Sequence, residues 1–285
     1  MWILYSVLSA LAWAISDMFS KKALIHDYTK ETFLLWARFL FSIPFMLPLA
    51  LITPLPHLPI KFFILHIFWL PLEITAIYLY LKAIRISPMS LSLPFLSFTP
   101  IFLLATGYIL LGEKPSFIAT SGIILLASGS YIMNIDKKGS GIFSPFKAIF
   151  TERGTRLVVI VAFLYSLTSI VGKKLVLYSN PFFFAIYYTF VMCIATLPFG
   201  IEAIKTKRAK ITAPLVLSGV FYGAMILFHM LAIKTALVSY MIGLKRLSGV
   251  FSVVLGAMFF KEEHIKERLT GAMLMVAGAT LITLG

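Results

Sequence analysis

Ionisable side chains stand inside stretches that are otherwise almost wholly apolar: Glu73, Lys245 and Arg246, with Asp17 close to the end of its run and reading equally as solvated loop or as cavity. Glu73 lies near the middle of the run 62–82. A charge at the centre of a spanning helix costs about 2.5–3.5 kcal/mol on insertion scales. An ion pair, cavity water or protonation can meet that cost, and such residues by default mark solute or proton paths. The plainer reading is a buried ion pair that holds two helices in register. Lys245 and Arg246 sit deep in the run 237–260, too far in to snorkel, and are expected to be counter-charges for Glu73 or Asp17 or to meet solute. Adjacent helical residues point about 100° apart, so these two are expected to face different partners. The chemistry such a set can do is recognition of a solute carrying both signs of charge.

Aromatic and polar residues recur at helical spacing around these charges. Ser6, Ser9, Trp13, Ser16, Asp17 and Ser20 advance in steps of three and four along one face. His66, Trp69, Glu73 and Tyr80 share another face. A shift of 149 carries Trp69, Glu73 and Tyr80 onto Ser218, Tyr222 and His229. Tyr165, Thr168, Ser169 and Gly172 form a fourth group. The Ser and Gly positions read as helix packing; the aromatic and ionisable ones read as walls of a site. His229 reads equally as a titrating group or a packing histidine. Arg38, about a turn and a half from the end of its run, is expected to snorkel to the interface, and His66 and Lys82 to lie there too. No His/Glu metal spacing, Cys–His set or catalytic carboxylate pair is present, so no enzyme, metal or cofactor is expected.

The elements that must hold these residues are transmembrane helices. Hydrophobic residues make up 60% of the 285 and charged ones 13%, about half the charged share of a soluble domain; mean hydropathy is +0.97. A spanning helix needs about 20 mostly apolar residues. Ten runs qualify, at about 3–20, 32–52, 62–82, 89–111, 116–134, 156–176, 182–200, 213–234, 237–260 and 268–284. Helices are expected because lipid leaves open backbone groups unsatisfied. The N-terminus has no basic start and no suitable cleavage site for a signal peptide. The one cysteine, Cys193, excludes an intrachain disulfide. The net charge of +14 marks membrane-flanking loops here and does not point to nucleic acid.

The chain repeats. With the shift of 149, Ala83-Ile84, Ser90, Gly107, Glu113, Gly122 and Gly129 fall on Ala232-Ile233, Ser239, Gly256, Glu262, Gly271 and Gly278. A shift of 152 lays Lys21-Lys22 on Lys173-Lys174 and Trp13 on Tyr165. Residues 1–135 and 156–285 are therefore expected as two five-helix repeats joined by a loop over 136–155, in which 143–150 is expected to lie along the interface. Five crossings return the second repeat upside down, so the repeats should be inverted around a central cavity. Pro94 and Pro100 fall on Gly243 and Gly249; matched helix-weakening residues point to hinges beside a site. Glu113 and Glu262 are expected to cap or bridge helix ends. Alternate loops carry 17 of the 25 Lys and Arg residues against five in the others, which places both termini outside a cell membrane.

Ten runs in two repeats, Trp13 in the first, the Gly112-Glu113 and Glu262-Glu263 turns and the small-residue fifth and tenth runs resemble the drug/metabolite transporter superfamily, in its EamA-like branch. The resemblance implies a cavity lined by the first, third, fourth, sixth, eighth and ninth runs, and export or exchange of small metabolites; it also implies cytoplasmic termini, against the charge count. The expected function is secondary transport of an amino-acid-like solute. Lys245 or Arg246 would meet its carboxylate, Glu73 or Asp17 its ammonium, and Trp13, Trp69, Tyr80, Tyr165 and Tyr222 would form walls. The alternative is proton-coupled efflux of cationic drugs, which Lys245 and Arg246 oppose. An intramembrane lipid-acting enzyme or a lipid-moving protein ranks below both. The expected partners are a small solute, a proton on the efflux reading, and the bilayer; a monomer suffices, and a dimer is compatible.

Overall fold

Long apolar stretches without turn residues become helices here, and proline and glycine decide where they break. The computed structural model describes residues 1–25, 29–88, 92–133, 144–260 and 265–285. In chain order these form α1 (Trp2–Ile25), α2 (Glu31–Ile52), α3 (Ile60–Ile86), a 3-10 turn (Leu93–Ser97), α4 (Phe98–Leu111), α5 (Phe117–Met133), α6 (Ser144–Thr151), α7 (Arg153–Tyr178), α8 (Pro181–Ala195), α9 (Leu197–Lys205), α10 (Ala213–Thr235), α11 (Val238–Lys245), α12 (Ser248–Phe260) and α13 (Ile265–Leu284). Among the described residues there is no strand, only an isolated bridge between Thr29 and Ala209. Among the described residues, seven helical stretches are long and apolar enough to cross a bilayer, the fourth being the 3-10 turn with α4 and the seventh α11 with α12. The bent pair α8 and α9 makes an eighth if it is one span; α5 and Thr270–Leu284 of α13 are apolar but shorter.

Four boundaries differ from the sequence expectation. The run 182–200 bends by 41° at Thr196 and continues to Lys205, because Pro198 has no N–H to bond back and crowds the preceding turn. The run 89–111 enters through the 3-10 turn, with Pro94 at its start. The run 237–260 breaks at Arg246-Leu247. The linker holds a short helix, α6, and α7 starts at Arg153. Glu152 sets that start, accepting from the Thr155 amide at 2.5 Å and from the Ser87 hydroxyl at 3.0 Å.

Glu152 carries a pH prediction. Partial burial raises its carboxyl, but hydrogen bonds from Thr155, Ser87 and Gly154 outweigh this and hold it below its ordinary value. A depressed carboxyl stabilises the fold above the unfolded value of about 4.3 and loses that contribution as pH falls through the folded value. Melting curves in detergent between pH 7 and pH 3 should show wild type losing more of its melting temperature than Glu152→Gln.

The two halves interlock rather than sit side by side: α1 packs on α10, α3 on α7, and α5 on α13. The serine face of α1 joins the first pair, Ser16 donating to the Ser218 carbonyl at 2.8 Å and Ser9 to that of Met225 at 3.2 Å. The α5–α13 contact is reciprocal. A Cβ on Gly122 would lie 2.7 Å from the Gly278 carbonyl oxygen, and one on Gly129 2.6 Å from that of Gly271. Close backbone approach through small residues is how membrane helices gain van der Waals contact. Gly129→Leu is therefore expected to separate the pair, seen as loss of the monodisperse peak in detergent chromatography; Gly112→Ala, where no atom lies within 4 Å of an added Cβ but φ is +67°, should do so far less.

Glu113 both caps and bridges. It accepts from the Val238 amide at 2.9 Å, at the start of α11, and from Lys173 Nζ at 2.7 Å. Lys173 also donates to the Ala236 carbonyl at 2.8 Å. At the repeat-equivalent place Lys21 donates to the Ser87 carbonyl at 2.7 Å. Ser90 and Glu262 lie outside the described residues. Met1, Pro54, Asn180 and Lys234 border one surface hollow, and Trp2, Lys173, Lys234 and Gly285 border its neighbour, so both termini share one end of the bundle. The other end carries the Lys30–Glu202 pair at 2.9 Å and the Arg85–Glu31 pair at 2.8 Å.

Candidate functional site

Asp17 and Arg38 form one fully buried ion pair, and this corrects two expectations. Arg38 does not snorkel: it has no exposed surface, and its Nη2 lies 2.6 Å from Asp17 Oδ1. Its Nη2 and Nε also reach the Ser20 hydroxyl at 2.7 and 3.0 Å, and its guanidinium lies over the Tyr222 ring at 4.9 Å. The Tyr80 hydroxyl donates to the other Asp17 oxygen. Asp17 is eight residues from the end of α1 and Arg38 seven from the start of α2, so in adjacent antiparallel helices both lie about 11 Å deep. Lys245 and Arg246 are not the counter-charges of Asp17.

Beside this network a cavity opens between the halves, with about 60 Å³ open to the centres of water-sized molecules. At about 10–15 Å³ per centre, it holds a few waters or a small solute. The α1 helix supplies Trp13; α3 supplies Trp69 and Glu73; α7 supplies Tyr165, Thr168 and Ser169; α8 supplies Phe184 and Tyr188; α10 supplies Tyr222, Met225 and His229; and Lys245 and Arg246 close the wall. Trp69 donates to the Thr168 carbonyl at 3.0 Å, which ties α3 to α7, and the Tyr188 hydroxyl donates to Glu73 Oε1 at 3.0 Å.

The two cations meet one aromatic ring, against expectation. Lys245 Nζ is 4.1 Å and Arg246 Cζ 5.3 Å from the Trp13 ring centre. The 100° rule fails because α11 stops at Lys245 and Arg246 lies in the turn beyond it. Lys245 Nζ also lies 2.8 Å from His229 Nδ1 and 3.2 Å from the Met225 sulfur. Arg246 Nη2 donates to Thr99 at 3.0 Å, while its Nε and Nη1 are buried without a hydrogen-bond partner. Neither cation is ion-paired with Glu73 or any other described carboxylate.

Of the expected site residues, Trp13, Trp69, Glu73, Tyr165, Tyr222, His229, Lys245 and Arg246 line the cavity; Asp17 and Tyr80 belong to the network behind it. The four hinge candidates do not line it. Pro94 starts the 3-10 turn, Pro100 lies in the first turn of α4, Gly243 is in the last turn of α11, and Gly249 in the first turn of α12. A Cβ on Gly249 would be 3.5 Å from Pro94 Cα, so the broken regions of the two halves touch. His66 is buried between the Phe62, Trp69 and Tyr187 rings at 5.1–6.3 Å, and neither ring nitrogen has a partner. Sequence reasoning missed Tyr188 and Phe184, and with them the seventh run as a wall; the fourth run touches the site through Thr99, which accepts from Arg246. Tyr188 follows Tyr187 in an aromatic-rich helix, and only the packing distinguishes the one that faces Glu73.

The profile of the EamA-like transporter family matches residues 1–135 and again 153–284. The chain belongs to the EamA-like transporter family. It is thus an integral, multi-pass membrane protein of the drug/metabolite transporter type. No curated protein matches it. Twenty-nine solved chains do. One of these is a protein crystal structure that aligns over 97% of this chain and 98% of its own, with a TM-score of 0.69 at 14% identity. At that identity the likeness is one of fold.

Proposed function

We propose that this EamA-like protein is a secondary transporter that exports or exchanges small amino-acid-like metabolites by alternating access. The observation that carries the reading is the cavity wall: Arg246 offers two buried N–H donors without partners, suited to a carboxylate, and Glu73 faces the same space, suited to an ammonium. Asp17, held by Arg38, is withdrawn from the solute. The frame of the reading is ten crossings in two inverted repeats, 1–135 and 156–285. In its support, α5, α13 and the bent pair stand where the fifth, tenth and seventh crossings belong, and the termini share an end. The breaks at Ser97-Phe98 and Arg246-Leu247 are repeat-equivalent, which suits rocking about them. The basic loops support termini outside the plasma membrane, and a reporter fused to Gly285 would test this. Two repeats in one chain let a monomer work. Membership of a transporter family supports a non-enzymatic role.

The test is uptake by proteoliposomes offered pools of labelled amino acids or lipophilic cations at two lumen pH values. Saturable amino-acid flux is the expected result. Cation flux driven by the pH gradient, without amino-acid flux, would overturn the reading in favour of drug efflux.

A further inference from the structure

The acidic and basic groups of the cavity do not pair off with one another, and the mismatch bears on the solute. Asp17 and Arg38 cancel at 2.6 Å. Of the groups that remain, one is acidic, Glu73, and two are basic, Lys245 and Arg246. An ammonium on Lys245 can bond His229 Nδ1 at 2.8 Å only by donating to it, which makes that imidazole neutral. The phenols of Tyr80, Tyr165, Tyr188 and Tyr222 add no charge. Two basic groups thus face one acidic group in a site where Lys245 is 3% exposed and Arg246 2%, and neither has a carboxylate partner among the described residues. Ring faces and the Met225 sulfur soften the desolvation of the cations but do not neutralise them. Buried basic groups favour a partner of opposite charge, and an anionic group on the solute would supply the one that the cavity lacks.

We propose, building on the amino-acid reading above, that the solute is an acidic amino acid: one ammonium for Glu73, one carboxylate for Arg246 and a second carboxylate for Lys245. Lys245 is then the residue that sets specificity. Arg246 keeps Nε and Nη1, on two edges of the guanidinium, free to donate to a carboxylate, while Lys245 presents its Nζ beside His229 and Trp13.

Isosteric pairs provide the test. Proteoliposomes carrying the full chain are assayed with labelled L-aspartate and L-asparagine, which differ chiefly in one charge, and with L-glutamate and L-glutamine. The expected result is a KM for aspartate about tenfold or more below that for asparagine, one charge-assisted hydrogen bond being worth at least that factor. Lys245→Gln should raise the aspartate KM to about that of asparagine, and Lys245→Arg should keep the preference. Melting temperature in detergent reports whether each variant folds; if Lys245→Gln does not, the wild-type isostere ratio and Lys245→Arg decide. Equal or better transport of asparagine by wild type, or a preference that survives in Lys245→Gln, would overturn the acidic-solute inference while leaving the amino-acid reading intact. Transport of no amino acid at all would overturn both.

Discussion

Arg38→Met is expected to destabilise the protein by about 3–5 kcal/mol, the usual cost of leaving one member of a buried ion pair alone. The carboxylate of Asp17, 1% exposed, would keep only the Tyr80 hydroxyl, and Ser20 would lose both guanidinium donors. The loss should appear as early melting in detergent. The double variant Asp17→Leu with Arg38→Met should recover most of it, since apolar replacement of a whole buried pair is often neutral. A double variant that melts no later than Arg38→Met would show that the network acts through geometry rather than charge. The contrast also separates roles: the Asp17–Arg38 pair joins α1 to α2 and does not face the solute, so its variants should report on folding before transport.

The second large effect belongs to Arg246. Arg246→Gln should weaken transport about 10–100-fold, since a charge-assisted hydrogen bond contributes about 1.5–3 kcal/mol and each 1.4 kcal/mol is a factor of ten. Arg246→Lys should fall between, because an ammonium keeps the charge but not the guanidinium's several directed donors. The bond to Thr99 at 3.0 Å is also lost in the glutamine variant, so Thr99→Val serves as the control. If Thr99→Val abolishes uptake as fully as Arg246→Gln, the arginine acts by bracing the chain break and not by holding solute. Direct titration of KM distinguishes a lost solute contact from slower turnover.

What the sequence made legible follows from lipid as a solvent. Apolar runs of spanning length must be helical, and a charge within them stands out against so plain a background; Glu73, Lys245 and Arg246 were found that way. Asp17 and Arg38 were harder because Lys21-Lys22 looked like the end of a span. Instead, α1 runs on to Ile25, and Lys21 turns to cap α3 through the Ile84 and Ser87 carbonyls at 2.6 and 2.7 Å. With the helix end misplaced by about five residues, the equal depth of Asp17 and Arg38 could not be seen. The packing of His66 was not legible either, since three aromatic rings from two helices enclose it. The aromatic facing Glu73 was illegible for another reason: Tyr187 and Tyr188 differ only in which way one helix turns. Repeat matching did carry further than residue type, since Gly122, Gly129, Gly271 and Gly278 meet in one reciprocal contact.

The claim at the centre of this account is that solute binds in the cavity between the halves, against Glu73. The most direct measurement is saturable amino-acid uptake by proteoliposomes carrying wild type, Glu73→Gln or Lys61→Gln, at matched protein content. Lys61 is exposed at the start of α3 and remote from the cavity. The account predicts uptake reduced about tenfold or more in Glu73→Gln, the scale of one lost charge-assisted contact, and wild-type uptake in Lys61→Gln. Wild-type uptake by both variants would contradict it and leave Glu73 a structural partner of Tyr188.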